Sequence, residues 1–120
     1  MIIGYPRGFS DAVNNLPIAR NGLLASQYGL KFDGLPLCLV DANLHPGMSG
    51  SPVFAKQSNI WRSGPSRTLA IGRGDNTYFL GVFSATVSTI LSDSTQEPLG
   101  LGFVWYGNLI EDIIDSALKP

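Results

Sequence analysis

One stretch of the chain has the residue types and spacing for covalent chemistry: Asp41-Ala42-Asn43-Leu44-His45-Pro46-Gly47-Met48-Ser49-Gly50-Ser51-Pro52-Val53-Phe54. Gly47 and Gly50 bracket Ser49, so the backbone there can turn tightly and approach a ligand closely. A serine on such a turn, entering a strand at Ser51, displays its hydroxyl. The amide N–H groups of Gly47 and Ser49 can point into one cavity, which is how a backbone oxyanion hole for acyl transfer is built. The same spacing fits a plain Gly-Ser-Pro β-turn feeding a strand, and the residues alone leave both readings open. Two other serine chemistries are excluded. The nucleophile elbow needs G-x-S-x-G at a strand-to-helix turn, but Ser51 occupies the second Gly position and Pro52-Val53-Phe54 continues as a strand. The S-x-x-K pattern fails because Pro52 stands at the Lys position.

A serine hydroxyl is a weak nucleophile until a base takes its proton. The single histidine, His45, lies four residues before Ser49. To act as base it must come within about 3 Å of the hydroxyl while the same loop aims two amides at a substrate. Loop continuity opposes that, and His45 reads as a loop or pocket-rim residue. One His and one Cys do not make a zinc site, so no metal and no cofactor are expected. Cys38, inside an apolar run, reads as a small buried hydrophobe. Gly72-x-Gly74 is too short to cradle phosphate and no Lys follows it. Arg73-Gly74-Asp75 spells an adhesion tripeptide by chance, in a Gly-rich turn.

The elements that must position this segment are mostly strands. The expected strands are Ile2–Tyr5, Ile18–Gln27, Leu35–Asp41, Ser51–Lys56, Tyr78–Val87 and Leu101–Tyr106, each apolar and bounded by Gly, Pro, Asn or Asp. Asn21-Gly22 marks a bulge or bend within the second. Gly72–Asn76 reads as a hairpin turn, and Gln57–Arg67 and Leu91–Pro98 as loops. One helix is expected at the end. Asn108 is its N-cap, Glu111 completes a capping box, and Ile110, Ile113, Ile114, Ala117 and Leu118 form one apolar face. Lys119 near its end complements the macrodipole.

Composition agrees with a single all-β domain. The chain has 120 residues, 44% apolar but only 14% charged, with 14 Gly and 8 Pro, against a typical charged share of about 25%. One Cys forms no internal disulfide, which excludes a disulfide-stapled secreted module. A net charge of −1 without a Lys/Arg cluster removes the footprint of nucleic-acid binding. No apolar run approaches the roughly 20 residues of a membrane span. Met1 leads directly into Ile2-Ile3-Gly4-Tyr5 with no signal peptide visible, which favours a cytoplasmic location.

Gly47-Met48-Ser49-Gly50-Ser51-Pro52-Val53 resembles the nucleophile motif of trypsin-like (chymotrypsin-fold) serine peptidases, Gly-Asp-Ser-Gly-Gly/Ser-Pro. Two later segments match that family in order. Leu80-Gly81-Val82-Phe83-Ser84-Ala85 resembles the strand that lines the primary specificity pocket. Leu101-Gly102-Phe103-Val104-Trp105 with the Asn108–Leu118 helix resembles the last strand and C-terminal helix. Ile3-Gly4-Tyr5-Pro6-Arg7-Gly8 is similar to the first strand of the second barrel in bacterial members. The resemblance implies a six-stranded Greek-key antiparallel barrel with a C-terminal helix, half of a double barrel. It implies Ser49 as nucleophile and the amides of Gly47 and Ser49 as oxyanion hole. Asn43 would lie at the pocket floor, with Ser84, Ala85, Thr86 and Gly102 as walls. Met48 departs from the common Asp.

In that family the triad's His and Asp come from the first barrel, upstream of everything in this chain. Two functions are therefore expected as alternatives. One is the C-terminal half of a serine endopeptidase, inactive alone and completed by a missing N-terminal barrel. The other is a non-catalytic protease-fold domain that binds an extended peptide by strand addition near Ser84–Thr86. Either implies a polypeptide ligand and no nucleic acid or membrane partner. Either also leaves an apolar face that invites self-association.

Overall fold

The computed structural model describes residues 1–56, 60–63, 68–71 and 77–119. The chain is mostly antiparallel β-sheet with one C-terminal helix. Its elements are β1 (Ile2–Gly4), β2 (Ile18–Arg20), β3 (Leu23–Leu24), β4 (Leu37–Asp41), β5 (Pro52–Lys56), β6 (Ile60–Ser63), β7 (Thr68–Ile71), β8 (Thr77–Ile90), β9 (Gln96–Tyr106) and α1 (Asn108–Leu118). A short 3-10 turn, Pro6–Gly8, follows β1.

Seven strands hydrogen-bond in the order β2-β1-β5-β8-β9-β4-β3, and β6 pairs with β7 apart from them. Where a six-stranded barrel was expected, the described strands form an open seven-stranded sheet, and closure into a barrel is not seen among them. The extra strand arises because the expected Ile18–Gln27 strand is two short pieces. Asn21-Gly22 separates β2, paired with β1, from β3, paired with β4. A Cβ at Gly22 would lie 2.8 Å from the Asp41 carbonyl oxygen, so the bend lets the backbone approach β4 closely. The two edges of the sheet are consequently neighbours in sequence.

The expected strands at β1, β4 and β5 are present with shifts of one or two residues. Two others are longer than expected: β8 and β9 form a hairpin closed at Leu91–Thr95, where the Leu91 amide donates to the Thr95 carbonyl at 2.9 Å. The Asp93 carboxylate accepts from the Thr95 amide at 3.0 Å, so the expected Leu91–Pro98 loop is a tight turn and the start of β9. β6 lies where a Gln57–Arg67 loop was expected, and β7 was not foreseen. The turn expected at Gly72–Asn76, with the Arg73-Gly74-Asp75 tripeptide, lies outside the described residues.

The core gathers Ile2, Cys38, Val40, Ala42, Leu44, Met48, Val53, Phe83, Val104 and Tyr106. Cys38 is fully buried, as its apolar setting predicts. Tyr106 is pinned by polar contacts: its hydroxyl accepts from the Gly29 amide at 3.1 Å and donates to the Leu30 carbonyl. Tyr28 stacks edge-on at 5.1 Å, tying the loop before β4 to β9.

α1 has the expected bounds, but its cap and its packing differ from expectation. Gly107, in helical conformation, holds the N-cap position without a side-chain cap; Asn108 is the first helical residue. Lys119 is already extended and outside the helix. No helical side chain is buried, and Ile110, Ile113, Ile114 and Leu118 are between 40% and 77% exposed. Among the described residues no helix is long and apolar enough to cross a membrane.

Candidate functional site

The segment between β4 and β5 alternates in a way that fixes what it displays. Ala42, Leu44 and Met48 are buried in the core, whereas Asn43, Gly47, Ser49 and Gly50 are exposed. Met48 is 0% exposed, so its side chain acts as a plug between Gly47 and Ser49. Anchoring Met48 inward turns Ser49 outward. An Asp in its place would need a buried partner for its charge, and the thioether needs none.

Both flanking glycines are in the left-handed region, Gly47 at φ 92° and Gly50 at φ 87°. Gly47 also lies where a Cβ would come within 2.7 Å of the Tyr5 carbonyl oxygen. Gly50 has open space around it but donates its amide to the Phe83 carbonyl at 2.8 Å. The Ser51 amide donates to the Met48 carbonyl at 3.0 Å, and the Ser51 carbonyl accepts from Phe83 at 2.9 Å. These bonds clamp the Ser49 turn onto β8. Among the described residues the amides of Gly47 and Ser49 and the Ser49 hydroxyl have no hydrogen-bond partner. Two free donors and a free hydroxyl on one exposed turn can engage an acyl group.

The other expected site residues cluster around β8 and β9. Ser84 and Ala85 fall in an irregularity of the β8–β9 pairing, between Phe83 opposite Val104 and Thr86 opposite Gly102. The Ser84 hydroxyl accepts from the Trp105 indole at 3.1 Å. Beyond Phe83, β8 has no partner strand on its β5 side among the described residues, since β5 pairing ends at Pro52 opposite Val82. An open backbone edge therefore begins beside the Gly50 clamp and runs through Ser84–Thr86. Gly102 is buried in β9, and a Cβ there would meet Leu44 and Phe83. Asn43 is exposed just before the Ser49 turn. None of Asn43, Ser84, Ala85, Thr86 and Gly102 lines either of the two cavities described next.

His45 is half-buried and makes no hydrogen bond to Ser49. It lines a groove of about 480 Å³ with Pro6, Arg7, Gly8, Phe9 and Arg20. A second, more apolar cavity of about 330 Å³ lies away from Ser49, between Ile2, Leu23, Leu24, Val40, Val53 and Leu80. Among the described residues no three His, Cys, Asp or Glu side chains converge as a metal site. Sequence reading missed the arginines beside the Ser49 loop. Arg7 was visible only as part of the first strand's Pro-Arg-Gly turn, and its meeting with Arg20 depends on β1–β2 pairing. No protein-family model, no curated protein and no solved structure matches this chain.

Proposed function

We propose that this chain is the nucleophile-bearing barrel of a trypsin-like serine endopeptidase. Ser49 is its nucleophile, and the Gly47 and Ser49 amides are its oxyanion hole. The observation that carries this reading is the exposed Ser49 turn, held by two left-handed glycines and a buried Met48, with two amides that have no partner among the described residues. Attack by the Ser49 oxygen on a peptide carbonyl would form an acyl-enzyme and release the amine, after which water would hydrolyse the ester. The charge that builds on the carbonyl oxygen would be met by the two amides. The open edge of β8 at Ser84–Thr86 would hold the substrate as an added strand, leading its carbonyl towards Ser49. Asn43 and Gly102 belong to the specificity pocket in this reading.

The strand order supports the closed-barrel version of the fold. Its two edge strands, β2 and β3, are separated only by Asn21-Gly22, so one bent segment borders both ends of the sheet. His45 stands in the arginine groove, so the proton acceptor and its orienting carboxylate are assigned to a partner barrel. A second reading is favoured by the open β8 edge: a peptide-binding domain that keeps the fold without hydrolysis. Turnover of a peptide ester separates them. Hydrolysis that is lost in Ser49→Ala, once a His- and Asp-bearing partner barrel is present, supports the peptidase. Peptide binding without hydrolysis in that same assembly sinks it.

A further inference from the structure

The groove beside the Ser49 loop has a chemistry that acyl transfer alone does not require. It is lined by two arginines, Arg7 and Arg20, by His45 and by the exposed Phe9. The Arg20 Nε is buried and has no hydrogen-bond partner among the described residues, a costly state for a cationic donor. Among the described residues no carboxylate lines the groove to balance these charges. Arg7 is held at φ 52°, a sparsely populated conformation for a residue with a side chain. Its amide donates to the Pro46 carbonyl at 2.6 Å, and the Pro6–Gly8 turn passes close enough to Gly47 to exclude a side chain there. The groove is thereby fastened to the same loop that displays Ser49.

We propose that this groove is an anion subsite that takes the carboxylate of an Asp or Glu in an extended peptide bound along the Ser49 loop. A planar carboxylate matches the fork of a guanidinium group and would balance the positive charge of Arg7 and Arg20. Phe9 would cover the methylene stem of the acidic side chain. The proposal deepens the peptidase reading by giving its substrate class, and it rests on the Ser49 loop being where peptide binds.

The test is binding of fluorescein-labelled peptides to the Ser49→Ala chain, where acyl transfer is impossible. Paired peptides differ only by Glu against Gln at one position, scanned along the sequence. At low salt one Glu peptide binds about tenfold more tightly than its Gln partner, and the preference shrinks as salt rises. Arg7→Gln reduces the ratio to about one, while circular dichroism shows the fold retained. Arg20→Gln does the same; Arg20→Lys restores part of the preference. Inorganic phosphate competes with the Glu peptide. Equal affinities for every Glu/Gln pair, a preference indifferent to Arg7→Gln, or phosphate binding without any peptide preference overturns the proposal. Failure of Ser49 to acylate is read by a different measurement and leaves this binding result intact.

Discussion

At the scale of single residues, the two glycines around Ser49 do different jobs. Gly50 needs only its left-handed backbone, because a Cβ there would meet nothing within 4 Å. Gly47 needs the backbone and the space, with the Tyr5 carbonyl 2.7 Å from its would-be Cβ. Gly50→Ala should cost about 1–2 kcal/mol from the backbone alone. Gly47→Ala should cost about 2–5 kcal/mol, because crowding adds to the same backbone penalty. Urea titrations of the two variants check this, and equal losses would contradict the assignment. The Ser49 turn was legible in the sequence through Gly47, Gly50 and the strand that begins at Ser51; the burial of Met48 that turns Ser49 outward was not. The positive φ of Arg7 was not legible, since a contact with Pro46 far along the chain holds it.

At the scale of elements, the decisive feature is the length mismatch between β5 and β8. Five-residue β5 leaves the second half of fourteen-residue β8 with one open edge. An extended peptide adding there would use its own backbone amides. Methylating two alternate amides of a bound peptide should weaken it by about tenfold, at roughly 0.5–1.5 kcal/mol per lost bond. Unchanged affinity by fluorescence anisotropy would exclude strand addition. Most strands were readable from apolar runs bounded by turn residues, and α1 from its helical spacing. The Asn21-Gly22 break was visible as a bend, but that its two halves pair with different strands is a tertiary outcome. The Gly107 cap escaped because the Leu80 carbonyl fixes its amide, at 3.0 Å, and sequence carries no sign of that partner. The β6–β7 pairing escaped because Gln57–Arg67 is rich in polar and turn residues.

At the scale of the whole molecule, two physical consequences stand out. The apolar stripe of α1 is exposed, so on the proposed reading the chain self-associates until a partner barrel covers it. Light scattering should show oligomers that diminish in an Ile113→Lys, Leu118→Lys variant. A stable monomer at high concentration would count against an unpartnered barrel. The second consequence concerns pH. Burial pushes up the pKa of the Cys38 thiol and, likewise, of the Tyr106 hydroxyl. Both groups are favoured neutral in the fold and ionise more easily once unfolded. Their stabilisation is therefore full below the ordinary thiol value of about 8.5 and is lost as pH rises through the raised values. The urea midpoint should fall above about pH 9, less steeply in Cys38→Val. A midpoint that rises there would contradict the burial of both groups.

On the proposed reading, Ser49 is a nucleophile awaiting a base. The most direct measurement is labelling with a fluorophosphonate probe, followed by mass spectrometry to locate the adduct. The 120-residue chain alone should take up no label, and a single adduct should form on Ser49 once an upstream barrel supplying His and Asp is joined to it. An unlabelled Ser49 in that completed protein would contradict it.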